Sequence, residues 1–331
     1  MKKKRFIGVD VSKDTLDIFI RSLSFHFIVE NDPIGFSKLL ETCCTKLNCN
    51  LDSLYFCFED TGRYSRPLAV FFDESGTLFT MGQPFDMKRS LGMKRGKSDK
   101  MDAKAIANYA WQKRDTIVPT KLNSGMVAQL RQLLALRDKL IKHRTAYKNS
   151  IKDLQDAFFY GETDYLRNSQ KRMIETLNKE IELLECEIER IIATDHSWQT
   201  NYILVQTVRG IGPVLAKYLI IYTENFTRIN NAKSFACYAG IAPFEYSSGS
   251  SIKGRTRLHP FANKQLKSLL NVAAMGAIQL KGEYKNYYQR RTEEGKNKMS
   301  TLNIIRNKLV SRVFAVVKRQ SPYVNLDRFA A

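Results

Sequence analysis

Phe6-Ile7-Gly8-Val9-Asp10-Val11-Ser12-Lys13 is the stretch on which the reading of this chain turns. Phe6, Ile7 and Val9 are apolar and partly β-branched, as suits a central strand. Asp10 stands where that apolar run ends. A charged, unpaired carboxylate there costs several kcal/mol, roughly the penalty of a desolvated ion, and a cation offsets it. The plainer account is that Asp10 starts a turn, a common role for Asp. The choice between them depends on whether other carboxylates converge on it.

Working outward, Thr15 to Arg21 alternates Leu16, Ile18 and Ile20 and reads as a second strand. Phe25 to Glu30 reads as a third, so the simplest arrangement is an antiparallel meander. Asn31-Asp32-Pro33 opens a helix with Pro in its first turn, carrying Phe36, Leu39 and Leu40 on one face. Leu54 to Glu59 is almost continuously apolar, the pattern of a strand covered on both sides, and it too ends in a carboxylate. The loop Asp60-Thr61-Gly62-Arg63-Tyr64 leads into a helix through Leu68, Val70 and Phe71, and Thr77 to Met81 is a further strand. Phe85 to Met93 reads as helix. A basic, flexible loop with Lys94, Arg95 and Lys97 follows, and then a helix that starts at Ser98 or Asp99.

Asp99 and Asp102 share one face of that first helical turn. Acids favour helix N-termini through the dipole alone. Two strand ends and one helix start together supply Asp10, Glu59, Asp99 and Asp102, however. Acids gathered so repel one another, which raises their pKa values and destabilises the site without a cation. Hard divalent ions such as Mg²⁺ take oxygen ligands, and two of them about 4 Å apart can clamp a phosphoryl transfer.

Composition narrows the partner. In 331 residues, 53 Lys and Arg stand against 33 Asp and Glu, a net charge of +20. That excess points to a polyanion, with nucleic acid the default. No basic amphipathic helix with bulky apolar anchors stands out, and no apolar run approaches the roughly 20 residues of a membrane span. The apolar run after Met1-Lys2-Lys3-Lys4-Arg5 is too short for a signal peptide, so the expected location is cytoplasmic. The cysteines at 43, 44, 49, 57, 186 and 237 lack paired C-x-x-C spacing, and His26, His143, His196 and His259 are scattered. That argues against a zinc site or a disulfide framework. Cys57 and Cys237 read as small core residues.

Ser124 to Phe159 has helical spacing at Leu130, Leu133, Leu134, Leu136 and Leu140, and Gly161 suggests a break. Gln170 to Thr194 repeats Ile174, Leu177, Ile181, Leu184, Ile188 and Ile191 at close to 3.5 residues. That pattern fits a coiled-coil hairpin or dimerising arm, and equally two helices packed on their own domain. Thr207-Val208-Arg209-Gly210-Ile211-Gly212-Pro213 resembles a helix-hairpin-helix turn whose glycines let backbone N–H groups approach a phosphate; Gly-x-Gly also makes a plain tight turn. After a short helix, Ala232 to Gly240, hydroxyls and small residues crowd a loop from Gly240 to Arg255. Such loops are usually linkers, yet this one lies inside a domain, ahead of a helix over Leu266 to Ile278. The tail from Lys285 to Arg319 is basic and interleaved with Tyr284, Tyr287 and Tyr288, which suits phosphate contact and base stacking.

The motifs Gly8-Val9-Asp10-Val11-Ser12-Lys13, Glu59-Asp60-Thr61-Gly62-Arg63-Tyr64 and Lys97-Ser98-Asp99-Lys100-Met101-Asp102-Ala103 resemble the RuvC-like, ribonuclease-H-fold domain of DEDD insertion-sequence transposases. That family also holds the site-specific invertases of pilin genes. The Ala-Gly-hydrophobe-x-Pro run at Ala239 to Pro243 and the Ser-Gly-Ser-Ser run from Ser248 resemble the family's C-terminal transposase domain. The resemblance covers nearly the whole chain in motif order. It implies an α/β RNase H-like domain at 1–120, a helical coiled-coil arm at 121–200 and a mainly α C-terminal domain with a serine loop at 201–331. It makes Asp10, Glu59, Asp99 and Asp102 a quartet for Mg²⁺ or Mn²⁺. Ser248, or its neighbour Ser247, becomes the nucleophile toward DNA. Asp60 departs from the family, where a small residue is more usual. Lys253, Arg255 and Arg257 are suited to the attacked phosphate, and Lys94, Arg95 and Lys97 to further nucleic-acid contact.

The implied activity is DNA transposition or site-specific recombination through a phosphoserine intermediate. Donor and target DNA, a structured guide RNA and further copies of the chain in a dimer or tetramer are the implied partners, at the bacterial nucleoid and with no membrane. Two rivals make different demands. A metal-dependent junction-resolving nuclease needs the quartet and water but no serine. A nucleic-acid-binding scaffold needs neither.

Overall fold

The computed structural model describes residues 4–82, 87, 98–122, 125–156, 164–248, 252–258 and 262–324. The chain divides into two units, Met1–Asn123 and Ser124–Ala331.

The first unit is built on a five-stranded mixed sheet of order β3-β2-β1-β4-β5. Its strands are β1 (Arg5–Val11), β2 (Thr15–Ile20), β3 (Phe25–Glu30), β4 (Leu54–Glu59) and β5 (Leu78–Gly82). The β1-β2-β3 meander is antiparallel as expected, while β4 pairs parallel with β1 and β5 parallel with β4. With neighbours on both edges, β1 has its backbone groups satisfied, and Ile7 and Val9 are wholly buried.

Strand alternation divides the side chains between two faces. Ile7, Val9, Leu16, Ile18, Phe56 and Phe58 turn toward α1 (Pro33–Leu47) and α2 (Arg66–Glu74) and build the main core. Phe72 of α2 stacks on Phe56 with ring centroids 4.5 Å apart. Burying such a side chain contributes about 2–3 kcal/mol. Asp32 caps α1 by accepting from the Gly35 N–H at 2.7 Å, and Pro33 occupies the first turn. The other face carries Gly8, Phe19 and Cys57 beneath α3 (Asp99–Gln112). Four alanines of α3, Ala103, Ala105, Ala107 and Ala110, are buried, which lets this helix sit low on the sheet. Ser98 caps it, accepting from the Met101 N–H. The helix expected over Phe85 to Met93 and the basic loop holding Lys94, Arg95 and Lys97 lie outside the described residues, apart from Met87.

The second unit is mostly helical: α4 (Gly125–Asp156), α5 (Asp164–Ile192), α6 (His196–Gln206), α7 (Pro213–Thr223), α8 (Ala232–Tyr238), α9 (Lys264–Gln279), α10 (Glu283–Glu293) and α11 (Lys298–Arg319). Ile188, Ile191 and Ile192 of α5 join Val127, Leu130 and Leu134 of α4 in one core with α7, α9 and α11. The C-terminal end of the near-heptad stripe of α5, Ile188 and Ile191, is therefore used within the chain itself. An ionic cluster around the buried Lys217 ties the α4–α5 hairpin to α7. The Lys217 ammonium sits 2.9 Å from Glu189 and 3.6 Å from Glu185, and Glu185 also pairs with Arg137.

Two expectations are corrected here. The stretch read as a serine loop forms an antiparallel hairpin of β6 (Pro243–Ser248) and β7 (Ile252–Leu258), with a register shift between Phe244 and Tyr246. Hydroxyl residues tolerate extended backbone once a partner strand satisfies their N–H and C=O groups. Cys237, read as a core residue, is exposed, whereas Cys57 is fully buried. Among the described residues no helix is long and apolar enough to cross a membrane.

Candidate active site

Register places the acids. Asp10 of β1 stands directly across from Asp17 of β2. Val9 pairs with Phe58, so the next residues along the two parallel strands, Asp10 and Glu59, come side by side at the strand ends. By alternation Asp10 shares the face of Gly8, the face that α3 covers. Asp99 and Asp102 lie in the first turn of α3.

The Asp10 carboxyl is pushed up to about 6 by burial first, and then by Asp102, Asp99, Glu59 and Asp17 in that order. Every one of these groups raises it, so among the described residues Asp10 sits in a field of negative charge. The four acids singled out in the sequence are thus within electrostatic reach of one point. Among the described residues, however, no three His, Cys, Asp or Glu side chains are closed up into a coordination sphere. The donor chemistry, all carboxylate oxygen, fits a hard divalent cation, and such a cation would have to draw the acids inward.

Asp17 was missed in the sequence. It is 7% exposed, and its Oδ1 lies 2.6 Å from His26 Nε2 on β3. Within the alternating run Leu16-Asp17-Ile18 it falls on the polar side of the strand, and the covering α3 makes that side an interior. Asp60 has a local role: its Oδ1 accepts from the Gly62 N–H at 3.1 Å and closes the turn after β4. Asn31 Nδ2 donates to the carbonyls of Ser12 at 2.8 Å and Tyr64 at 3.2 Å, joining the loop after β1 to the loop after β4.

In the second unit Ser248 is the last residue of β6, paired with Ile252. Lys253 pairs with Ser247 and Arg257 with Phe244, and Arg255 lies between them on β7. Both ends of the hairpin are pinned to helices. Asn263 N–H donates to the Tyr238 carbonyl at 2.9 Å. Gly240, at φ 66°, is packed so tightly that a Cβ would come within 2.2 Å of the Ala262 Cβ. The Ile241 carbonyl accepts from Asn303 Nδ2 at 2.9 Å and Asn307 Nδ2 at 3.1 Å.

The Gly-Ile-Gly turn joins α6 to α7. Gly210 has φ 94° and lies against Ala277 of α9, so close packing accounts for that glycine. In the basic tail, Lys308 stands over the Tyr287 ring at 4.0 Å and Arg312 over Tyr284 at 4.6 Å. Both cations also pair with Glu283, so part of the tail's charge joins α10 to α11.

Comparison with known proteins supplies the family. A DEDD-type transposase family matches residues 7–160, and the family described as Transposase IS116/IS110/IS902 matches residues 202–289. The pilin gene-inverting proteins of Moraxella lacunata and Moraxella bovis are each 26% identical over 330 residues, covering 97% of this chain and 98% of theirs. The transposase for insertion sequence element IS1111A of Coxiella burnetii is 23% identical over 259 residues, covering 70% of this chain and 69% of its own. With both of its units matched, the chain belongs to the IS110/IS116/IS902 family of DEDD transposases and is a DNA transposase or recombinase.

Proposed function

We propose that the first unit is an RNase H-like catalytic domain in which Asp10, Glu59, Asp99 and Asp102 hold Mg²⁺ or Mn²⁺. The raised pKa of Asp10, caused by burial and by the neighbouring acids, carries this reading. The strand order and the mix of antiparallel and parallel pairs agree with it. A divalent ion held by these four residues would supply positive charge at the reacting phosphate and favour loss of the proton from the attacking hydroxyl.

Ser248 is the nucleophile in this reading. Its Oγ forms a bond to phosphorus as the bond from phosphorus to a deoxyribose oxygen breaks. The hydroxyl proton passes to a carboxylate, and the leaving oxygen takes up a proton. One phosphoester replaces another, so the reverse step can rejoin the strand without an external energy source. Lys253, Arg255 and Arg257 hold the attacked phosphate, and Lys94, Arg95 and Lys97 contact nucleic acid. A structured guide RNA selects donor and target DNA, and the α4–α5 hairpin assembles copies of the chain into a dimer or tetramer. The regions 1–120, 121–200 and 201–331 then serve as catalytic domain, arm and serine domain. Similarity to the pilin gene-inverting proteins over 97% of the chain favours DNA inversion as a second outcome of the same chemistry.

The test is a suicide DNA substrate incubated with the full chain and Mg²⁺. The expected product is a covalent protein–DNA species that yields phosphoserine on hydrolysis. Cleavage with no such species would establish the junction-resolving nuclease instead.

A further inference from the structure

A cleft of about 400 Å³ opens between α9 and α11 in the second unit, beside the end of β7. It is lined by Leu258, Lys264, Lys267, Ser268, Asn271, Met299, Asn303 and Arg306. Among these described residues there is no carboxylate, and three are cationic. Lys264 and Lys267 lie in the first turn of α9, and Met299 and Asn303 in the first two turns of α11. Both helices thus add the positive ends of their dipoles to the cleft.

Arg306 sets this cleft apart from an ordinary basic surface. The residue is 4% exposed, and among the described residues no carboxylate pairs with it. Its Nη2 donates to Asn271 Oδ1 at 2.5 Å and its Nη1 to Asn303 Oδ1 at 3.4 Å. Its Nε is buried with no partner. Burial pushes its pKa down from the ordinary guanidinium value. A guanidinium left among neutral amides is costly unless an anion joins it. Arg312, on the same helix, differs in being paired with Glu283.

We propose that this cleft binds a phosphate of a DNA strand, with Arg306 at its floor and Lys264 and Lys267 at its mouth. The placement favours DNA backbone over a free anion. Leu258 ends the strand that carries Arg255 and Arg257, and Asn303 bonds both Arg306 and the Ile241 carbonyl at the start of the serine hairpin. A phosphate held here would lie at the base of the hairpin, where Leu258 pairs with Pro243, while Ser248 stands at its far end, paired with Ile252. The inference rests on the reading of the second unit as the serine-bearing, DNA-handling half. It assigns a contact that the reading does not contain.

The experiment measures binding of a fluorescent duplex oligonucleotide by the full chain, in EDTA and in a Ser248→Ala background, over a series of salt concentrations. Neither metal nor the serine is needed, so the outcome is separate from that of the covalent-adduct test. Lys264→Gln with Lys267→Gln should weaken binding several-fold at physiological salt. The slope of log affinity against log salt should become shallower by about 1 or more. Ser268→Glu, which places a carboxylate in the cleft while leaving Lys264, Lys267 and Arg306 in the sequence, should weaken binding likewise. The decision rests on these surface variants. If these keep their thermal unfolding midpoint and bind the duplex with unchanged slope, the cleft is not a DNA phosphate site. Weakened binding of a single-stranded RNA with unchanged duplex binding would overturn the assignment to DNA.

Discussion

The carbonyl oxygen of Ala103 lies 2.2 Å from where a β-carbon on Gly8 would stand, and the Ala107 nitrogen lies 2.3 Å from it. Both contacts are backbone of α3, so a side chain at position 8 must lift the helix from the sheet. Lifting it moves Asp99 and Asp102 away from Asp10. Gly8→Ala is expected to destabilise the chain by about 1–3 kcal/mol, the usual range for overpacking. DNA strand cleavage should fall more steeply than stability does. Urea unfolding and a cleavage assay on the same preparation separate the two effects.

Asp10 gives a pH dependence whose sign follows from its shift. Its folded pKa, about 6, lies above the ordinary value of 3.8. Its contribution to stability is thus full below about pH 4 and lost as pH rises through about 6. In EDTA, Asp10→Asn should therefore match the parent near pH 4 and exceed it at pH 8. The gain is on the order of 1 kcal/mol after allowing for partial solvent screening. Thermal melts at the two pH values check this, and a variant less stable than the parent at pH 8 would contradict it.

Divalent ions should act in the opposite sense. Binding to the acids relieves their repulsion and stabilises the folded chain by mass action. Mn²⁺ or Mg²⁺ at millimolar concentration should raise the unfolding midpoint of the parent. The effect should weaken as pH drops below about 6, because a proton must leave Asp10 before the ion enters. Asp10→Asn should abolish most of the rise. Calorimetry at pH 5 and pH 8 measures it.

Ser248 and Ser247 are neighbours on β6 and face the same test with opposite expectations. Ser248→Ala should abolish the covalent protein–DNA species and strand exchange, a loss of at least 10³-fold for removal of a nucleophile acting in a unit. Ser247→Ala should retain both. The reverse result would move the nucleophile by one residue.

The buried Lys217 offers a check on the helical unit. Its side chain is 2% exposed and its ammonium faces Glu185 and Glu189. Glu185→Gln with Glu189→Gln leaves that charge buried without a counter-ion and should cost about 3 kcal/mol. Lys217→Met leaves two acids that keep Arg137 and Tyr202 as partners, and should cost about 1 kcal/mol or less. Urea midpoints rank the variants, and a larger loss for Lys217→Met would show that the ammonium stabilises the fold outright.

Local chemistry was legible without coordinates. Alternation in Thr15 to Ile20, the apolar run Leu54 to Glu59, Asp32 before Pro33 and Ser98 before Asp99 each report on a few neighbouring residues. Propensity and capping act over that same range, so strands and helix starts emerged close to their true bounds. The four acids could be singled out because each stood at an element's end, where a carboxylate calls for an explanation. Tertiary structure decided what depends on distant partners. It set Asp17 opposite Asp10, buried it under α3 and gave it His26. It paired Ser248 with Ile252, turning an apparent loop into a hairpin. It also buried Arg306 with no counter-ion among the described residues. Burial and charge compensation are properties of what packs against a residue, and separation along the chain does not encode them.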